Sequence, residues 1–246
     1  MKINIGHQIV LGICLAATTA FATTNNIIVP GTFALTEANS SDNAPLGATE
    51  QHFQQVFSAS LLTNLSIGEL ISGIGFRVEG NETALPAQTI TTYDVSLSQS
   101  ANAPGSLSAT FADNRGPDFQ TVLSGPLTIT PDMFPGGSSP NNFGWIPFST
   151  PYQYQGGDLL IEVAYQGFSA GRDADAAYPF DGSLAETAFG TGFASTTADA
   201  GLYNEALVMG FLTSPISPAP EPSASIMIGT GFALLAFVRL LRKKHF

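Results

Sequence analysis

Three stretches of the chain alternate apolar and polar residues with a period of two. "LISGIGFRVE" sets Leu70, Ser72, Ile74, Phe76 and Val78 on one side, with Arg77 and Glu79 on the other. "TTYDVSLSQS" does the same with Tyr93, Val95 and Leu97 against Asp94, Ser96 and Ser98, and "GGDLLIEVAY" with Leu159, Ile161, Val163 and Tyr165 against Asp158 and Glu162. This is the signature of half-buried antiparallel strands. "FQQVFSASLL" (Phe53 to Leu62), "GPLTIT" (Gly125 to Thr130), "FGWIPFS" (Phe143 to Ser149) and "EALVMGFLT" (Glu205 to Thr213) are further strand candidates. Turn-forming clusters such as "SANAPGS", "PDMFPGGSSPNN" and "YQGG" separate them. No long helical period interrupts the series. The pattern predicts an all-β domain over residues 23–213, a jelly-roll-like antiparallel β-sandwich.

The two ends break the pattern with continuous apolar runs. At the start, Lys2 precedes an apolar stretch from Ile9 to Phe21, followed by the small-x-small pattern Ala20-Phe21-Ala22. That arrangement predicts a signal peptide over residues 1–22, cut after Ala22 by signal peptidase, whose pockets accept only short side chains. The competing reading is a buried helix. Cys14 is the chain's single cysteine and lies inside this segment. Cleavage therefore leaves a chain without disulfides, thiolate metal sites or a cysteine nucleophile. At the other end, Ala224 to Val238 carry no charge and Leu240 and Leu241 extend the run. Eighteen helical residues span roughly 27 Å, close to the hydrocarbon thickness of about 30 Å, and Arg239 can snorkel to the headgroups. Arg239, Arg242, Lys243 and Lys244 resist translocation, so residues 224–246 read as a transmembrane helix with a cytoplasmic basic tail. A core helix at the end of the domain is the alternative. Residues 214–223 form a proline-stiffened spacer containing Pro220-Glu221-Pro222, whose prolines keep it extended.

A Pro-Glu-Pro triplet, an apolar helix and a short basic tail, in that order, resemble the PEP-CTERM sorting signal of Gram-negative bacteria. The matching parts are Pro220, Glu221 and Pro222, then Ser223 to Val238, then Arg239 to Lys244; the residue before the triplet is Ala219, where many members have Val. The resemblance implies an exosortase substrate, held at the inner membrane before processing and then sorted to the cell surface or extracellular matrix of a polysaccharide-producing bacterium. The region from Gln51 to Gly167 is also similar to the β-sandwich that many such proteins carry, which implies fold and context without an activity.

Composition sharpens this picture. Charged residues make up 11% of the chain, against roughly 25% for a typical soluble domain. Between Thr23 and Pro220 only Arg77, Arg115 and Arg172 are cationic, against eighteen carboxylates, a net of −15. Nucleic acid is thereby excluded as a partner, because phosphate backbones are bound by clustered lysine and arginine.

Candidate chemistry is sparse. His52 is the one histidine between the two apolar ends, so any Ser-His-Asp triad must use it and an HExxH zinc site is impossible. Asp158 and Glu162 share a strand face about 13 Å apart at the backbone, wider than the 5–9.5 Å of glycosidase carboxyl pairs, and read as a solvated face. No motif calls for a cofactor. Asp173, Asp175 and Asp181 in "GRDADAAYPFDGS" read first as a solvated acidic loop, with a Ca²⁺ site as the weaker candidate, since their spacing is not that of an EF-hand. Phe143, Trp145, Phe148, Tyr152 and Tyr154 are either core residues or a face that contacts sugar rings. The expected function is a non-enzymatic surface or matrix protein associated with extracellular polysaccharide; the alternative is a secreted carbohydrate-active hydrolase that uses the paired carboxylates.

Overall fold

The computed structural model describes residues 24–215. The predicted signal peptide with Ala20 and Ala22, the Pro220-Glu221-Pro222 triplet, the apolar run and the basic residues Arg239, Arg242, Lys243 and Lys244 lie outside the described residues. Among the described residues no helix is long and apolar enough to cross a membrane.

The described chain is all-β. Its strands are β1 (Asn25–Val29), β2 (Ser40–Asp42), β3 (Gln51–Phe57), β4 (Leu70–Phe76), β5 (Gln88–Ile90), β6 (Tyr93–Gln99), β7 (Gln120–Leu123) and β8 (Leu127–Ile129). They continue with β9 (Gly144–Gln153), β10 (Leu159–Tyr165), β11 (Ala174–Ala177), β12 (Ala185–Gly190), β13 (Gly201–Tyr203), β14 (Ala206–Leu207) and β15 (Met209–Ser214). One helical turn, α1 (Phe111–Asn114), lies between β6 and β7. Two larger sheets run in the orders β1-β15-β4-β9 and β13-β12-β3-β10-β6-β7, and two small ones are β14-β11-β2 and β5-β8. The strand pairings are antiparallel throughout.

The period-two reading of β6 and β10 holds residue by residue. Leu159, Ile161, Val163 and Tyr165 of β10, with Phe53 and Phe57 of β3 and Val95 and Leu97 of β6, line the inner face of the six-stranded sheet. They join Ile74 and Phe76 of β4, Val29 of β1 and Phe211 of β15 in one continuous apolar cluster. At about 25 cal/mol per Å² of apolar surface removed from water, burial of this extent holds a cysteine-free domain together without covalent staples.

Several predicted strands shift for local reasons. "FQQVFSASLL" ends at Phe57, where the Ser58 hydroxyl accepts from Ser60 N at 3.3 Å and starts a 3-10 turn. "FGWIPFS" runs on to Gln153 through Pro147 and Pro151; β9 is an edge strand, where a missing N–H is tolerated. "EALVMGFLT" splits at Val208, whose N–H turns to Asp175 O at 3.0 Å and separates β14 from β15. Arg77, read as the polar side of β4, is 1% exposed and forms a buried ion pair with Asp175.

Trp145 explains two glycines. A Cβ on Gly75 or on its register partner Gly210 would stand 2.6 Å from the indole, so the ring lies flat across bare backbone on the four-stranded sheet. Gly210→Ala is expected to lift the indole and lower stability by about 1–3 kcal/mol. Trp145 is the chain's single tryptophan, so urea unfolding followed by its fluorescence reads both effects; an unchanged emission maximum and midpoint would refute the packing argument.

Candidate functional site

The strand alternation that fills the core aims the intervening residues of the six-stranded sheet at its outer face. There β10 presents Glu162, level with Gln54 on β3 and Ser96 on β6. The residue pattern predicts a solvated face for Glu162, but it is 7% exposed. The segment between β6 and β7 folds over the sheet and carries Leu107 and Phe111 onto Val56, Leu160 and Ala188, a second, smaller apolar cluster. Side chains of the sheet pin that segment. Glu186 accepts from Gly105 N at 2.9 Å and Leu107 N at 3.0 Å, while Asn114 donates to Gln54 at 2.8 Å.

A buried carboxylate needs compensation, and Glu162 has it on both oxygens. Arg115 donates through Nε at 2.9 Å to one and through its terminal nitrogen at 2.6 Å to the other. His52 Nε2 lies 2.9 Å from Oε1, and Gln54 donates to Oε2 at 2.7 Å. Burial pushes this carboxyl up, but the hydrogen bonds from His52, Arg115 and Gln54 outweigh it and hold the group at about 2. The other histidine nitrogen, Nδ1, faces Ser195 O at 2.5 Å. Neither ring nitrogen is therefore available to a hydroxyl nucleophile, as a triad requires. Asp158 lies on the same face at the start of β10, where Oδ1 accepts from Ala59 N at 2.8 Å. It takes no part in the Glu162 network.

Above this network opens a cleft of about 310 Å³ whose lining includes Asp94, Ser96, Arg115, Phe119, Thr121 and Phe193. The Ser96 and Thr121 hydroxyls meet at 2.9 Å, and Arg115 lies over the Phe119 ring at 4.6 Å. Two half-buried aromatic rings beside hydroxyls, a carboxylate and a guanidinium form an amphipathic recess suited to a polyhydroxylated ligand. A larger cleft of about 660 Å³ opens beside Arg172 and Asp173. There Arg172 is tied to Thr83 O and Oγ1, both at 2.8 Å, and Glu82 accepts from Asp173 N at 3.3 Å.

The predicted calcium loop does not assemble. Asp181 caps a turn, accepting from Ser183 N at 2.9 Å and its hydroxyl at 2.7 Å, and Asp173 meets the Ser41 hydroxyl at 3.4 Å. Asp175 instead joins Glu37 and Glu79, with one carboxylate oxygen of each within 4.8 Å of the others. These three are the residues that could hold a cation. Arg77 already occupies Asp175, and Glu37 accepts from Gly80 N at 3.0 Å. One oxygen of Glu79 is buried without a hydrogen-bond partner among the described residues. Burial, then the neighbouring carboxylates of Asp175, Glu37, Glu82 and Asp173, push Glu79 up to about 7. Sequence spacing missed Glu37 and Glu79 because strand pairing, not chain proximity, brings them to Asp175.

The aromatic run is divided as well. Tyr152 and Tyr154 are core residues, 2% and 3% exposed, with hydroxyls donating to Asp118 at 2.7 Å and Gly157 O at 2.6 Å. Phe143 and Trp145 lie 5.8 Å apart on the other sheet, and Phe148 packs at the core margin. Phe119 and Phe193, which border the cleft, escape a reading of the residue pattern, since neither sits in an alternating strand.

No protein-family model matches the chain, and comparison with curated proteins returns no relative.

Two variants test the charge arrangement. The folded Glu162 value, about 2, lies below its ordinary 4.5, so its contribution is complete above pH 4.5 and is lost as pH falls towards 2. Glu162→Gln should cost about 3 kcal/mol at pH 7, with the difference from wild type vanishing near pH 2 in urea titrations. A penalty independent of pH would contradict this. Arg77→Met leaves Asp175 buried beside Glu37 and Glu79 without its counter-charge, and is expected to lower stability by about 3–5 kcal/mol. A urea midpoint within experimental error of wild type would show the pair to be dispensable.

Proposed function

We propose that this is an exported surface or matrix protein whose β-sandwich binds saccharide without cleaving it. The terminal segments support the export half: a signal peptide followed, at the other end, by Pro220-Glu221-Pro222, an apolar run and Arg239 to Lys244 describe a chain delivered across the inner membrane, held there, and handed to exosortase for release to the cell surface. The finer jelly-roll designation draws support from the chain passing repeatedly between the two larger sheets.

The binding half rests on one observation: the carboxylate beneath the outer-face cleft is fully engaged. Glycosidic cleavage needs a carboxylic acid that protonates the leaving oxygen and a second carboxylate free to act as base or nucleophile. Glu162 is ionised and tied down by three side chains, and Asp158 is engaged by a backbone N–H at the end of the strand. What the cleft offers is recognition chemistry: the Ser96 and Thr121 hydroxyls, Asp94, one oxygen of which also accepts from Gly125 N at 3.1 Å, the outer edge of Arg115 and the two phenyl rings. A sugar ring stacked on Phe119 would present its hydroxyls to these groups.

A glycan-binding screen of the purified chain, with reducing-end assays alongside, tests the reading. Saccharide capture without chain cleavage is expected, and Phe119→Ala should weaken it at least tenfold while the unfolding free energy stays within about 1 kcal/mol of wild type. Release of reducing ends that disappears in Asp158→Ala and Glu162→Gln would establish the hydrolase instead. For export, intact-mass analysis in the native host should find surface material lacking Phe246, and Pro220-Glu221-Pro222→Ala-Ala-Ala should retain it in the inner membrane.

A further inference from the structure

Towards the β13 edge of the six-stranded sheet, a cavity of about 200 Å³ lies where β2, the start of β3, β12 and β13 meet, lined by Asp42, Gln51, Phe189, Ala200, Tyr203 and Glu205. Glu205 is 5% exposed, yet its carboxylate accepts no hydrogen bond among the described residues; its main chain is engaged, the oxygen by Gln55 and Thr187 and the N–H by Tyr203 O at 2.8 Å. Asp42 lines the same cavity and has one oxygen on Ala44 N at 2.7 Å. The three arginines among the described residues are all engaged elsewhere, with Asp175, Glu162 and Thr83. Two carboxyl groups therefore share a small recess with no counter-charge.

The walls are aromatic. Phe189 and Tyr203 meet edge to face at 5.8 Å, and Tyr178 extends the pair at 6.3 Å. Tyr203 and Tyr178 are 39% and 47% exposed, unusual for large rings on a domain that buries most of its aromatics. Tyr203 lines the recess and Tyr178 packs against it, so an exposed aromatic ring stands beside a buried carboxyl that has no hydrogen-bond partner among the described residues, which burial disfavours.

We infer that this cavity is a second binding site, for an amino sugar with a free, protonated amine. The ammonium would donate to Glu205 and Asp42, its ring would stack on Tyr203, and the amide nitrogen of Gln51, whose oxygen accepts from Tyr165 at 3.2 Å, would donate to a ring hydroxyl. A hard cation is a poorer fit, since Ca²⁺ takes six to eight oxygens and this recess offers two carboxylates between apolar walls. A neutral sugar brings no positive charge to the two carboxyl groups. The electrostatics of the recess agree: burial and the neighbouring Asp42 push Glu205 up to about 8, and burial, partly offset by Ala44 N–H, pushes Asp42 to about 6. The inference goes beyond the cleft over Glu162, and the two sites fail independently.

Calorimetry on the full chain in mild detergent tests it with four probes: a glucosamine tetramer, its N-acetylated counterpart, a glucose tetramer and CaCl₂. The glucosamine tetramer is expected to bind at least tenfold more tightly than the other three. Glu205→Gln and Tyr203→Ala should each weaken it at least tenfold, and Phe119→Ala should leave it unchanged. Tyr203 is exposed, so its variant keeps the test valid if Glu205→Gln fails to fold. Equal binding of acetylated or neutral oligomers, heat from CaCl₂ alone that Glu205→Gln abolishes, unchanged glucosamine affinity in Tyr203→Ala, or no heat from any probe would each overturn the inference. Capture of neutral glycans that Phe119→Ala removes would leave the first site standing in every one of those cases.

Discussion

The outer half of the molecule is organised by the need to neutralise one carboxylate. Glu162 sits mid-strand on β10, between β3 and β6, where its side chain is largely cut off from bulk water. Leaving such a charge unpaired costs several kcal/mol, and the attraction repays that only when every lone pair is met. Two donors, His52 and Gln54, come from the neighbouring strand and are fixed by register. The third, Arg115, arrives from a connection that must first cross the sheet. Compensation of Glu162 therefore dictates where residues 100–116 lie, and Leu107 and Phe111 consolidate that placement. The cleft is a consequence: its floor is the ion pair and one wall is Phe119, packed under the same arginine.

Much of the fold was legible in the residue pattern, because β6 and β10 place large apolar residues at every second position, which marks the face that an antiparallel strand turns to the main core. Two of the strands that the pattern does not show share a physical cause. β11 reads "ADAA" and β12 "AETAFG", and both are buried on each face. Small side chains buried on both sides produce no alternation, and alanine has weak strand preference. These strands form because their neighbours supply the pairing, which is tertiary information. Arg77 fails the same way: alternation assigns it correctly to the outer side of β4, but it cannot say that Asp175 on a distant strand covers that side.

The site was less legible than the fold. Glu162 and His52 both stand out in the chain, but they lie 110 positions apart and register alone joins them. The candidate calcium loop illustrates the opposite error. Three aspartates close in sequence suggest one ligand group, whereas Asp173 meets Ser41, Asp175 pairs with Arg77 and Asp181 caps its own turn. Proximity along the chain is a good guide to ligand sets only where one loop wraps the ion.

The shortage of cations connects these observations. With three arginines against eighteen carboxylates, each guanidinium is committed to holding the fold together, Arg77 under β11, Arg115 over β10 and Arg172 on Thr83. None is left to make a positive surface patch, so long-range attraction of an anionic ligand is absent and like charges keep copies of the domain apart. Recognition on such a protein has two physical routes. One is neutral hydroxyl and aromatic chemistry of the kind found over Glu162. The other is capture of a cation where carboxyl groups remain uncompensated, and Glu205, 5% exposed and without a side-chain hydrogen bond among the described residues, is one such place. A chain that compensates Glu162 on both oxygens, yet leaves the Glu205 carboxyl without a protein partner among the described residues beside the half-exposed Tyr203, keeps there a group that a cation from outside can meet.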